Sequence, residues 1–312
     1  MKARAITGFL FVCLLPMAGI AQLPTPATES GWARKEKGMD AYKRQDYAAC
    51  ATILTDLVAE PDHRSATTLY NAACCQAMDG HPERAIPLLL EASRIDMLPV
   101  AQVEADEDLR AVRALQEWPA LRDRLDAGEK TRLAGMDRDL RNELARRVKL
   151  DQDARERAIA APQPLPQALA KELERIDRDN TAWAKRYLEE HGWPGYDLIG
   201  RDGSGSFFLL VQHADADRAF QKQALTHMQA SVARKQASAG QLAYLTDRVL
   251  TGEGLPQRYG TQFHQVDGKL VPMPIEDAEH VDERRVASGL PTMAEYAALI
   301  RDTYKPASTA GK

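Results

Sequence analysis

The sequence predicts an all-α protein, in which helix-turn-helix repeats are followed by a helical domain carrying one small β-hairpin. Three observations predict it. Apolar residues recur at three- and four-residue spacing through most of the chain after residue 31, the period of an amphipathic helix. A clear two-residue hairpin signal occurs near residues 263–271, where Asp267 and Gly268 separate two short extended stretches. Segments in the first third of the chain also align with one another at an offset of 35 residues.

The elements follow in order. Lys2 and Arg4 form a short basic start, and residues 6–20 are almost continuously apolar. Gly19 and Ala21 place small residues where a signal peptidase cuts. The apolar run is shorter than the roughly 20 residues of a membrane-spanning helix. Residues 1–21 therefore read as a cleaved signal peptide, with a retained anchor as the alternative. The mature chain is expected to be periplasmic or secreted, without stable membrane insertion, and residues 22–30 to form a flexible N-terminus. The whole chain has 312 residues and a net charge of −4; losing Lys2 and Arg4 leaves −6. A mildly acidic chain excludes nucleic acid as a partner, because phosphate binding needs clustered Lys and Arg. Hydrophobic content of 44% and charged content of 28% are ordinary for globular domains, and the length suggests two of them.

Residues 32–42, 47–58, 66–78 and 82–92 read as helices. Asp46, Tyr47, Cys50 and Leu54 align with His81, Pro82, Ala85 and Leu89. Small residues such as Gly38, Ala73 and Ala85 let paired helices approach, while Tyr42 and Leu54 fill the space between. The run Leu69, Tyr70, Asn71, Ala72, Ala73, Cys74, Cys75, followed by Gly80, Pro82, Ala85 and Leu89, resembles the tetratricopeptide family, whose repeat is about 34 residues. Ala105, Leu109, Leu115, Trp118 and Leu121 resemble its capping helix pair, giving a repeat domain at 31–128. The resemblance implies a groove that takes a peptide or protein partner; a structural spacer is the alternative. Cys50, Cys74 and Cys75 remain after signal removal. Cys74 and Cys75 point about 100° apart on a helix, so Cys50 is expected to pair with one of them or with neither. No metal-ligand spacing and no cofactor motif is present.

Residues 130–160 read as one long charged helix with an apolar stripe of Leu133, Met136, Leu140, Leu144 and Val148, while Arg141, Arg146, Asp151, Asp153 and Arg155 line its other, solvated faces. Pro162, Pro164 and Pro166 break it. A helix at 169–191 ends at Gly192 and Pro194. Residues 199–206 read as a glycine-rich loop without the Lys of a phosphate loop, with Ser206 as N-cap of a helix at 207–214. Helices at 217–236, 241–250, 281–288 and 292–304 follow. Thr292 and Glu295 form a capping box, and residues 305–312 are a frayed tail.

The second half also concentrates polar residues beside apolar ones. Asp177 and Asn180 lie on the helix before Gly192, Trp193 and Pro194, which are followed by Gln212, His213, Ala214 and Asp215. Then come Leu245, Thr246, Asp247 and Arg248; Gln257 with Tyr259, Gly260, Thr261 and Gln262; and Val281, Asp282, Glu283, Arg284 and Arg285 with Gly289 and Leu290. Together the motifs from Gly192 onward resemble the bacterial domain of unknown function 6624, over roughly residues 135–304. That resemblance assigns no activity. Read directly, His213 is a candidate general base or metal ligand, the roles histidine most often fills. Asp247 is a candidate to orient it, and Arg248 to clamp a carboxylate or phosphate. Gln212, Tyr259 and Gln262 are candidates to orient a ligand by hydrogen bonds. Residue types also allow a Ser206, His213, Asp247 triad, or half a metal site from His213 and Asp217. The first expectation for function is an exported protein that binds a peptide, protein or ligand. The alternative is a hydrolase-type enzyme using His213, Asp247 and Arg248, and a third reading makes the same cluster a structural network.

Overall fold

Side chains start the helices of the N-terminal region at a regular interval. Ser30 accepts from the Ala33 amide and Ser65 from the Thr68 amide, both at 3.1 Å, and the two caps lie 35 residues apart. Asp46 and His81 begin the partner helices at the same interval. So do the left-handed turn residues before them, Gln45 (φ 63°) and Gly80 (φ 82°). The structure, a computed structural model, describes residues 30–303 apart from 163, 267 and 268. The expected signal peptide, residues 22–29, the hairpin's central pair and the tail at 305–312 lie outside the described residues.

Two helical pairs result: α1 (Gly31–Lys43) with α2 (Tyr47–Ala59), and α3 (Ala66–Met78) with α4 (Pro82–Ile95). Each helix packs on the next. Cys50 and Cys75 form a disulfide joining α2 to α3, which settles the choice the sequence leaves open; Cys74 is a buried free thiol. Three helices, α5 (Val100–Ala105), α6 (Arg110–Arg113) and α7 (Trp118–Ala134), close this region, and Leu109, Leu121 and Leu125 join the core around Leu69 and Leu89.

The expected single helix at 130–160 is two. α7 stops at Gly135, and α8 (Arg138–Ala160) restarts with Asp137 as N-cap, accepting from the Leu140 amide at 2.9 Å. Then come α9 (Gln167–His191), α10 (Tyr196–Gln212), α11 (Arg218–Ala233) and α12 (Ala239–Gly252). Leu144, Leu188, Phe207, Phe220 and Leu245 are fully buried among them in a second core. A two-stranded antiparallel hairpin follows, β1 (Phe263–Val266) and β2 (Lys269–Pro272), with Phe263 opposite Pro272 and Val266 opposite Lys269. The described chain ends in α13 (Val281–Ala287) and α14 (Met293–Thr303). The capping box forms as read: the Thr292 amide donates to Glu295 at 2.7 Å, and the Glu295 amide to the Thr292 hydroxyl at 3.4 Å. Glu295 also accepts from the Ser30 hydroxyl, tying α14 to the start of α1.

The glycine-rich stretch at 199–206 is not a loop. It is α10, bent where Gly200 takes φ 75°. Beyond the bend the small residues serve packing. A Cβ on Gly203 would sit 2.9 Å from that of Ile199, and buried Ser204 lies 3.4 Å from the Trp193 indole nitrogen, which donates to it. Ser206 lies mid-helix, its hydroxyl donating to the Asp202 carbonyl at 3.0 Å. Among the described residues no helix is long and apolar enough to cross a membrane.

Candidate functional site

His213 caps the C-terminus of α10. Its amide donates to the Leu209 carbonyl at 3.1 Å, and the buried run Phe207, Phe208, Leu210 and Val211 anchors the turns before it. The carboxylate at its ring is Asp151 of α8, 3.0 Å from Nδ1 and 1% exposed. Asp151 also accepts from Gln152 Nε2 at 2.6 Å and from Arg155 Nε at 3.2 and 3.3 Å. Arg155 Nε lies 3.1 Å from His213 Nδ1 as well. The single Nε hydrogen of Arg155 is shared between the Asp151 carboxylate and the His213 ring nitrogen. With that hydrogen given to Asp151, a proton on His213 Nδ1 donated to the same carboxylate leaves Nε2 an acceptor; with it given to the ring, Nδ1 accepts and Nε2 carries the proton.

The second nitrogen group of Arg155 reaches Asp177 of α9 at 2.5 Å, so four side chains from α8, α9 and α10 form one chain of contacts. Burial pushes the Asp151 carboxyl up, but the hydrogen bond and charge of His213, with Gln152 and Arg155, outweigh it and hold the group below its ordinary range. Asp177 goes the other way. Burial raises it, and the pull of Arg155 does not compensate. The two carboxylates on Arg155 are thus shifted in opposite directions.

The loop after His213 is held by its own side chains. Buried Gln221 donates to the Val211 and Gln212 carbonyls, both at 3.2 Å, and to Asp215 at 3.3 Å. Asp215 receives Arg248 of α12 through two bonds of 2.7 and 2.5 Å. Asp217 caps α11, accepting from the Phe220 amide at 2.9 Å, and takes Lys185 at 2.9 Å. A cleft of about 730 Å³ opens here. Arg155, Asp177, Arg178, Lys185, His213 and Arg248 line it, with Leu165 and Leu173 on the far side.

The other sequence candidates lie elsewhere or serve otherwise. Asp247 does not orient His213. It is fully buried, and its carboxylate accepts the amides of Arg258 (2.8 Å), Tyr259 (3.0 and 3.2 Å) and Thr261 (2.9 Å), which pins the loop after α12. Gln262 and Tyr259 belong to that loop and do not line the cleft. The Gln262 backbone pairs with the side chain of buried Gln257, and its own amide group donates to Thr261. Gln212 contributes its carbonyl to Gln221, and its side chain does not line the cleft. Ser206 is two turns from His213 on one helix, so the triad does not form. Asp217 is committed to its cap and to Lys185, so it makes no metal pair with His213. Arg248 lines the cleft and is already held by Asp215.

Asp177 is among the polar residues the sequence picks out, but Asp151 and Arg155 are expected on the charged faces of the long helix, and the structure instead buries Asp151 against His213. The signal for these two α8 residues was periodic. Leu140, Leu144 and Val148 set a stripe, and its next positions are Asp151 and Arg155.

Among the described residues one group has metal-compatible spacing: the ligand atoms of Cys74, Asp106 and Asp108 lie within 4.8 Å of one another. The Tyr70 and Tyr42 hydroxyls donate to these two aspartates at 2.6 Å each. Burial and the charge of Asp106 push the Cys74 thiol far above its ordinary range, which disfavours the thiolate a metal takes. The group acts as a hydrogen-bonded tie between α1, α3 and the segment after α5.

A family model described as a family of unknown function (DUF6624) matches residues 138–307, the part of the chain that holds α8 to α14. No curated protein and no solved structure matches the chain.

Proposed function

The chain belongs to the DUF6624 family of unknown function through residues 138–307, more than half its length. From that premise we propose that it is an exported, hydrolase-type protein, with His213 as general base for a ligand held in the adjoining cleft. The observation that carries the reading is the His213–Asp151 contact at the cleft wall. Asp151 fixes the ring and its tautomer, which leaves Nε2 free to take a proton from water. The resulting hydroxide adds to an acyl carbon, and the bond to the leaving oxygen or nitrogen breaks. The imidazolium, stabilised by Asp151, returns the proton to that leaving atom. Arg155, Arg178 and Lys185 supply positive charge near the oxyanion that forms in between.

A panel of p-nitrophenyl esters and p-nitroanilides, turned over by wild type and by His213→Gln, tests this. The reading predicts a loss of about 100-fold or more in the variant, the scale of a general base, with circular dichroism unchanged. Equal rates for the two proteins across the panel would contradict it.

Export is supported by the character of residues 1–21 and by the Cys50–Cys75 bridge, since disulfides persist in oxidising compartments. A second reading gives the N-terminal helices a tetratricopeptide-like role in capturing a peptide or protein. The recurrence of caps and turns at 35 residues favours it. Capture that survives substitution of the exposed faces of α1 and α3 would count against the groove.

A further inference from the structure

The cleft beside His213 does not end at its charged wall. A second cavity of about 420 Å³ adjoins it and shares Arg155, Leu165 and Leu173 with it. The remaining walls of this second space are Ala158 and Ile159. Ile159 is 85% exposed, at the end of a helix whose other outward residues are mostly charged. Single exposed apolar side chains are common. Here, though, exposed Ile159 closes round one space with the partly buried Ala158, Leu165 and Leu173, and that space adjoins a polar site.

The two helices divide the groove in the same sense. On α8 the chain runs from Arg155 outward to Ile159, and on α9 from Asp177 outward to Leu173. The Arg157–Glu172 ion pair, at 2.8 Å, holds the outer ends together. Four helical residues span about 6 Å. The apolar half therefore extends roughly one turn beyond the His213 end.

We propose that this apolar half receives an aliphatic chain of about four to six carbons, roughly one helical turn in reach, on a ligand whose polar group faces His213. This rests on the acid–base reading of the same cleft and gives it a substrate class: short- to medium-chain acyl compounds. The polar end meets Arg155 and Arg178. Arg178 is the cleft cation without a carboxylate partner among the described residues, which suits a carboxylate or a carbonyl dipole there.

The test is calorimetric binding of linear monocarboxylates from acetate to octanoate, and of the matching primary alcohols, to the full mature chain. The inference expects affinity to rise about threefold to fourfold per methylene in both series, the increment of buried CH₂, and to level off near six carbons. Leu173→Asp and, independently, Leu165→Asp on the neighbouring loop are expected to flatten the series. His213→Gln is expected to keep the slope. A flat series in wild type overturns the inference, as does a slope that persists in both Asp variants. A slope retained in wild type and in His213→Gln, without ester or anilide turnover by either, leaves the chain site standing and removes the general base instead.

Discussion

Asp151 is the one carboxylate that α8 turns into the core. A buried carboxylate is costly unless its oxygens are filled, and here Gln152, Arg155 and His213 fill them. The same accounting applies in the N-terminal region with the sign reversed. Tyr42 and Tyr70 give their hydroxyl protons to Asp108 and Asp106. The hydrogen bond to Asp108 comes first for Tyr42 and burial first for Tyr70, and both phenols are pushed well above their ordinary value of 10.0. The folded chain therefore keeps two protons that the unfolded chain sheds above about pH 10. Their contribution to stability is complete below pH 10 and falls as pH rises past it. Absorbance at 295 nm, compared between wild type and Tyr42→Phe with Tyr70→Phe, checks this. The two phenols should contribute no phenolate signal until the helical circular dichroism is lost. Ordinary titration of either near pH 10 in the folded protein would contradict the assignment.

At the scale of elements, Asp247 shows how one side chain sets a loop. Its two oxygens take the amides of Arg258, Tyr259 and Thr261 where the chain leaves α12 for the hairpin. Asp247→Ala leaves three amides without their acceptor, that of Thr261 buried and those of Arg258 and Tyr259 partly so, at about 1–3 kcal/mol for a fully buried donor. The expected loss is about 3 kcal/mol or more, seen as a Tm lower by roughly 10 °C, with fast hydrogen exchange at those three amides. A Tm within about 2 °C of wild type would refute the pinning role. The helices, the capping box of Thr292 and Glu295 and the small hairpin were legible in the sequence, because period, cap chemistry and turn residues act locally. The role of Asp247 was not. A buried acid inside a helix looks the same in sequence whether it faces a histidine or a row of amides. The stretch at 199–206 misled for a related reason. Gly203 and Ser204 are small because α10 packs closely on itself and on Trp193, and small residues mark a loop or a tight contact equally. The pause between α7 and α8 was missed because charged residues continue through it, with only Gly135 and Asp137 marking the cap.

At the scale of the molecule, the site is a product of tertiary assembly. Asp151 and His213 are 62 residues apart, and Arg155 and Asp177 are 22. His213 stood out in the sequence, but its partner did not, since no spacing links a mid-helix aspartate to the end of another helix. The assembled pair sets a histidine ring, held by a buried carboxylate, at the wall of a large cavity. The N-terminal region is joined to this domain by the Ser30–Glu295 contact and by Arg201 facing Asp96 at 3.7 Å. The central claim is the state of the His213 ring. Long-range ¹H–¹⁵N NMR of the imidazoles, with His213 assigned by its loss in His213→Gln, reads it directly. The account predicts that neutral His213 carries its proton on Nδ1, and that Asp151→Asn abolishes this preference. A neutral ring protonated on Nε2 would mean that Asp151 does not hold the proton, and the general-base role would fall with it.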